Sequence, residues 1–375
     1  MNIDVVIVGG SANALGILRS LAPHAKCLVL LDNKKLPAYH SRFGKKILVE
    51  STKTENIITV LVKLGKSFLS PPVLFLSEEK TVEQVSLHRD KISPMYLFNM
   101  AKHKQVIELQ SKIGFQKLAE KFNSPIPKAI AINDNSDIDK AKTLSFPCVF
   151  KPLYQDLAYA KEFKKAYKVE NIKQIELLYA DISPIMPNML VQEWLHGKDS
   201  DIYFCLAYFD ENSQLVSSFS GRKLRSWPLN IGGTASCTNA PNQHQALSDI
   251  TSTFASNIGF RGLIGMEFKF DKHRNGFYMI EPTVARTDYQ HEISTLSGHN
   301  LLLQIYLHIK KRKVPQFPIA QKSTIWRDEI ADANALANGG DTTEPTPARS
   351  YFAVKRWADP IPYLNTFLKR VKSRF

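Results

Sequence analysis

GLIGMEFKFDKHRNGFYMIEPTVARTDYQHEI, residues 262–293, decides the fold. Across 263–270, Met266, Phe268 and Phe270 take one face and Glu267 and Lys269 the other, the period of a half-buried strand. Residues 271–276 are polar and end in Asn275-Gly276, a strong turn signal. Residues 277–281 form a second apolar strand. Folded as a hairpin, the segment brings Glu267 and Glu281 together across two strands. Carboxylates so placed repel unless a proton or cation lies between them. Mg²⁺ takes carboxylate oxygens and keeps phosphate and water as its other ligands. The hairpin therefore reads as a metal–phosphate platform, with Arg286 beyond it to meet an anion. The plainer alternative is two solvated glutamates on an outer face.

Working outward, 375 residues are too many for one small core and suit two or three subdomains. A hydrophobic content of 44% is that of a soluble globular chain, and no apolar run approaches a membrane span. Residues 3–8 are apolar but short and carry Asp4, which makes them a buried strand and not a signal peptide. Cys27, Cys148, Cys205 and Cys237 show no metal spacing and read as reduced core residues, so the expected location is cytoplasmic. The formal charge of +14, 49 Lys and Arg against 35 Asp and Glu, favours anionic partners. Most of the lysines read as solvated surface. There is no zinc spacing and no aromatic–basic signature of a nucleic-acid fold, so no nucleic-acid partner is expected.

Residues 1–100 alternate strands and helices as a small α/β unit. Gly9, Gly10 and Gly16 do not make a GxGxxG fingerprint, although the turn can offer N–H groups to an anion. Ser111 is a candidate N-cap for a helix over 112–122, stopped by Pro125 and Pro127. Residues 146–150 are a buried strand delivering Lys151, either a snorkelling side chain or an ammonium aimed at phosphate. Strands are expected at 189–195, 201–209 and 215–219, and helices at 245–258 and 300–310. Residues 221–233 read as a loop whose Lys223 and Arg225 either hold an anionic substrate or are solvated. Residues 334–349 read as a mobile loop. Residues 361–375 read as a basic amphipathic helix, docked on the domain or touching a membrane surface.

In this order the pieces resemble the ATP-grasp superfamily over residues 3–310, and more narrowly the carboxylate–amine ligases related to D-aspartate ligase. The implied fold is α/β: an ATP-grasp fold behind a Rossmann-like pre-ATP-grasp domain. The implied division is a pre-ATP-grasp domain (1–110), a lid (111–195), a metal and substrate subdomain (196–310) and a C-terminal extension (311–375). SKIGFQKLAEKFNSPIPKAI resembles the entry to the lid, with Lys112 as first nucleotide lysine. FPCVFKP matches the strand carrying the second, Lys151, on the α- and β-phosphates. MLVQEWLHGKDSD resembles the hinge, where Gln192, Glu193, Trp194 and Leu195 flank adenine and Asp199 meets the ribose. The hairpin implies Glu267 and Glu281 as Mg²⁺ ligands, with ATP and Mg²⁺ as cofactors.

Two departures accompany the resemblance. Thr283 stands where the family has Asn, and Arg286 is delayed. Residues 153–165 hold no glycine to wrap phosphate; Lys161, Lys164 or Lys165 would supply charge instead. The implied chemistry is an acylphosphate captured by an amine, with Arg286, Lys223 and Arg225 in catalytic roles and residues 288–292 toward substrate. The implied partners are a small-molecule carboxylate and an amine, an amino acid among them, in surface-polysaccharide or cell-wall precursor metabolism. No stable membrane insertion is expected, and a homodimer is the default. A carboxylate kinase and a non-turning-over ATP sensor are the alternatives.

Overall fold

The structure, a computed structural model, describes residues 1–154, 156–318 and 322–372, the last six as backbone alone. The basic side chains expected beyond residue 366 lie outside that part. Three sheets carry the chain. The first is parallel. Val5–Val8 lies between Cys27–Leu31 and Val73–Leu76, with Lys45–Leu48 at one edge. The inner strands are unbroken apolar runs because helices cover both faces. At the end of the first strand Gly9 has φ +119°, and a Cβ there would lie 2.0 Å from Ser77 Oγ. Only glycine allows the chain to turn so sharply into the helix Ala12–Leu21.

The second sheet is small and antiparallel, ordered Ala129–Ile132, Met189–Glu193, Cys148–Pro152, Tyr167–Val169. It closes its own core with the helix Ile172–Ile182, through Phe150, Ile175, Tyr179 and Val191. The helix Lys112–Lys121 leads into it, and the Ser111 side chain accepts from Gly114 N–H as N-cap.

The third sheet has seven strands. Its order is Gly276–Val284, Gly262–Asp271, Ile202–Phe209, Leu215–Trp227, Gly233–Asn239, Ser323–Arg327, Ala348–Phe352. All neighbours are antiparallel except the last pair. Its inner faces merge with the helices of the first sheet into two shared cores.

Two expectations are corrected here. Residues 221–227 are strand, not loop: Leu215–Trp227 runs straight through Gly221, with irregular register at Lys223–Ser226. Its polar residues look loop-like only because their partners come from distant segments. Residues 334–349 are likewise not a free loop. The helix Glu329–Ala337 enters them, the strand Ala348–Phe352 leaves them, and Glu344 between is ion-paired. No helix among the described residues is long and apolar enough to cross a membrane.

Candidate active site

The hairpin forms as its alternation requires, and Glu267 and Glu281 are direct cross-strand partners. A bulge beside them slips the register by one residue, so that Phe268 faces Met279. Bulges of this kind re-aim side chains next to active sites. Met266, Phe268 and Met279 are fully buried beneath, which fixes the strand faces. Glu281 is exposed and makes no ion pair among the described residues. Glu267 accepts from Lys223 Nζ at 2.7 Å. Lys223, 3% exposed, reaches it from the next strand but one.

Burial pushes the Glu267 carboxyl up despite Lys223, and Glu281 adds to the push. For Lys223 burial works against the charge, but Glu267 outweighs it and the ammonium is held above its usual value. Asp288 also faces this group; burial raises its carboxyl, against Arg286. Its oxygens accept from Tyr289 N–H at 2.9 Å and Gln290 Nε2 at 3.0 Å. Three carboxylates around one ammonium leave a local deficit of positive charge. Among the described residues one oxygen of Glu267 and both of Glu281 have no hydrogen-bond partner, so the donor set fits one hard cation that keeps phosphate and water. Thr283, opposite Gly265, is half-buried on the same hairpin.

Three lysines carried by the small antiparallel sheet and the segments joined to it come next, two of them within the field of Glu281. Lys112 Nζ donates to Pro152 O at 2.7 Å and Lys151 Nζ to Gln192 Oε1 at 2.9 Å. Lys165 Nζ donates to Ile231 O at 3.0 Å, tying the lid to the 228–232 turn. All three acceptors are neutral. Burial, then Lys112, lowers the Lys151 ammonium to about 8, with Lys165 adding to the repulsion and Glu281 opposing it. Burial, then the field of Lys165, also lowers Lys112, against Glu281. The lid lysines and Glu281 thus share one field, positive across from negative.

Residues 193–196, in the expected hinge, are pinned by the hairpin tip. Asp271 is fully buried and accepts from the N–H groups of His196, His273 and Arg274. His196 and His273 stack at 4.0 Å with 5° between planes. Arg274 pairs with Glu193 at 2.9 Å, and Ser145 N–H donates to the same carboxylate. Trp194 has Lys168 and Lys269 near its ring, each 5.6 Å from the centroid. Glu193 N–H is taken by Lys128 O and Trp194 N–H by Pro147 O. No described group takes the N–H of Leu195, a residue only 8% exposed. A near-buried orphan donor is rare and marks a place for an acceptor from outside the chain. Asp199 accepts from Ser226 and Asn230 N–H, joining the hinge to the 228–232 turn.

Lys223 and Arg225, two residues apart, go to different tasks. Arg225 is 1% exposed and bonds Asp332 at 2.6 Å and Glu344 at 2.7 Å, both shared with Arg327. It faces the helix Glu329–Ala337 and the segment after it, not the carboxylate group. Arg286 is loosely held, at 3.2 Å from Thr287 O and 3.8 Å from Glu79. Of residues 288–292, Asp288 joins the site, Tyr289 bonds Asp328 at 2.5 Å, and His291 and Glu292 are buried. Sequence reasoning missed Asp271 and Arg274 as hinge locks. The one available signal was an Asp opening the turn at 271–276, where such residues collect N–H groups.

No family model matches the chain. It is 22% identical over 314 residues to the D-aspartate ligase of Enterococcus faecium (strain Aus0004), across 79% of this chain and 74% of that one. N5-carboxyaminoimidazole synthetase from Staphylococcus aureus, complexed with ADP, is a solved structure with TM-score 0.67 and 15% identity, covering 90% and 85%. A biotin carboxylase complex with β,γ-ATP from Campylobacter jejuni gives 0.66 and 14%, covering 86% and 75%. The biotin carboxylase domain of the Hydrogenobacter thermophilus 2-oxoglutarate carboxylase, in complex with MgADP, gives 0.64 and 11%, covering 87% and 74%. The fold is ATP-grasp with an N-terminal α/β domain, and the chain is similar to the carboxylate–amine ligases related to D-aspartate ligase.

Proposed function

From an ATP-grasp chain with this site, we propose an ATP-dependent ligase that joins a carboxylate to an amine and releases ADP. The observation that carries the proposal is the confrontation of Glu267 and Glu281 with Lys112, Lys151 and Lys165, whose acceptors among the described residues are neutral. A polyphosphate between them would neutralise the lysines, and a cation would relieve the carboxylates. Mg²⁺, held by Glu267 and Glu281 with the Thr283 hydroxyl alongside, would supply charge neutralisation on the phosphates.

The chain's own residues do the rest. The Leu195 N–H meets the adenine edge, beside Gln192, Glu193 and Trp194. Asp199 holds the ribose side. Lys112, Lys151 and Lys165 hold phosphate oxygens and keep their negative charge from repelling an incoming carboxylate. Arg286, held only loosely at 3.8 Å by Glu79, orients that carboxylate for attack on the γ-phosphorus. The leaving group is ADP and the product an acylphosphate. An amine then attacks the acyl carbon and expels inorganic phosphate. Lys223 keeps Glu267 in place, and Arg225 acts only by holding the C-terminal segment against the sheet. The lid contact from Lys165 to Ile231 excludes water from the acylphosphate.

The amine is an amino acid, and the setting is surface-polysaccharide or cell-wall precursor metabolism in the cytoplasm, by a homodimer. Likeness to D-aspartate ligase supports the first point. The test is ADP release from Mg-ATP with each amino acid singly, then with pooled uronic acids and nucleotide-linked sugars, Glu281→Gln being the control. ADP with wild type and not with the variant sustains the proposal. Mg-ATP binding without turnover in any mixture would make the protein a sensor; no Mg-ATP binding would end the nucleotide reading.

A further inference from the structure

Arg286 and Asp288, which belong to the proposed site, flank a residue that the first domain holds. The chain leaves the hairpin through Ala285, whose φ of +58° is left-handed and strained for a residue with a Cβ. Ala285 N–H donates to Leu263 O at 2.8 Å. Two residues on, Thr287 is 1% exposed and bonded through every polar atom. Its N–H donates to Leu76 O at 3.2 Å, at the end of Val73–Leu76. Its hydroxyl donates to Asn13 Oδ1 at 2.5 Å, and its carbonyl accepts from Asn13 Nδ2 at 3.0 Å. The same amide nitrogen donates to Ser77 O at 3.2 Å. Two carbonyls on that side fix which end of the Asn13 carboxamide is nitrogen.

Asn13 stands on the helix Ala12–Leu21, in one row with Gly16 and Ser20. The row is buried against the segment that follows Arg286. A Cβ at Gly16 would lie 3.0 Å from His291 Cε1, and Ser20 Oγ is 2.9 Å from Thr295 Oγ1. Small side chains in the row let that segment lie close to the helix.

Thr287 O has a second donor, Arg286 Nη1 at 3.2 Å. A carbonyl oxygen takes two donors, so this one is filled. Asn13 supplies the nearer of the two, from a fixed helix. The guanidinium keeps only this long bond and the 3.8 Å contact with Glu79 among the described residues. Without the Asn13 amide, the buried carbonyl would keep a single donor, the guanidinium. A buried acceptor left short draws in the nearest donor, and a charged donor binds it more strongly. Arg286 would then close on its own backbone.

We propose that Asn13 is a positioning residue for Arg286: by filling the Thr287 carbonyl from the first domain, it keeps the guanidinium open toward an incoming carboxylate. That the anion is a carboxylate rests on the ligase reading; the contact does not. The turn at Ala285 fits this role, because the clamp on Thr287 holds the chain in its strained conformation. A purely structural Asn13 would have the opposite consequence, since cutting the clamp would leave Arg286 freer.

The test is phenylglyoxal modification of Arg286 in the full chain, read by peptide mass spectrometry, for wild type, Asn13→Leu and Thr287→Val. Asn13→Leu should slow the modification at least about threefold, as the guanidinium becomes the remaining donor to Thr287 O. Thr287→Val leaves that carbonyl on Asn13, so Arg286 should react within about twofold of wild type although the melting temperature falls. Asn13→Asp keeps the acceptor for the Thr287 hydroxyl and loses the donor. It should act as Asn13→Leu does, and takes its place if that variant does not fold. In the mixture that gives ADP with wild type, Asn13→Leu should raise KM for the carboxylate about tenfold and leave KM for ATP within about twofold. An Arg286 that reacts at the wild-type rate or faster in Asn13→Leu would overturn the inference, and so would equal slowing in Thr287→Val. Slowed modification in a protein that gives no ADP in any mixture would sustain the inference and remove the ligase reading.

Discussion

Two clusters of charge in this molecule look alike in composition and differ in balance. In the C-terminal cluster, Arg225 and Arg327 face Asp332 and Glu344, and every charge has an opposite at 2.5–3.1 Å. Among the described residues, the polar partners of Lys112, Lys151 and Lys165 are a carbonyl, an amide oxygen and a second carbonyl. Across from them Glu281 has no ion pair among the described residues, and Glu267 shares one lysine with its neighbours. The first cluster is finished and its charges hold segments together. The second is unfinished and stable only because lid and hairpin cores carry it. A charge deficit kept by a rigid scaffold is the mark of a ligand site.

Variants can break that contrast. The largest effect is expected from Glu281→Gln, which should cut ADP release by about 100-fold or more. Its melting temperature should stay level, because the carboxylate supports nothing. Arg225→Ala should do the opposite. Leaving Asp332 and Glu344 with Arg327 alone should cost about 1–3 kcal/mol in chemical unfolding, while ATP affinity of the folded fraction holds. A fall in ATP affinity as large as that of a lid variant would erase the distinction.

Lys151→Met should lower kcat/KM for ATP by about 10- to 100-fold. It should also change the pH dependence of stability. Burial, then Lys112, holds the Lys151 pKa near 8 in the folded chain, below its ordinary 10.5. Between those values the unfolded chain binds the extra proton, so this group's contribution rises with pH. The penalty of the buried ammonium is full below about pH 8 and is relieved from there to about 10.5. Wild type should therefore gain on Lys151→Met as pH climbs through that window, read as the difference in urea midpoints. Parallel midpoints would place Lys151 in water. The smallest effect is expected from Lys165→Ala, a few-fold rise in KM for ATP, since its one contact is an exposed lid–turn bond. It should also raise the rate of ATP hydrolysis without acceptor, as the lid admits water.

The hairpin was legible because its two signals are local. Alternation over 263–270 and Asn275-Gly276 allow few other conformations, and a one-residue bulge then sets Glu267 opposite Glu281. The delivery of Lys151 and the Ser111 cap were legible for the same reason. The strand through Gly221–Trp227 was not. Its Lys223, Arg225 and Ser226 are buried, and a polar run reads as solvent-facing until its partners are known. Those partners, Glu267, Asp332 and Glu344, lie 44 or more residues away. Residues 334–349 were misread likewise, because Gly and Thr there gave no hint of Glu344's two arginines.

By itself the sequence determined the elements that rest on short-range chemistry: the hairpin, the glycine turn at Gly9, the caps and the apolar strands. It also supplied the residues that the site needs. Tertiary structure alone decided which charges were spent. Lys223 and Arg225 have similar surroundings in the sequence, yet one faces the carboxylate group and the other closes an ion-pair network. The reason is that a charge's role depends on what neutralises it. Neutralisation comes from whichever segment the fold brings within a few ångströms, and no local pattern records that distance.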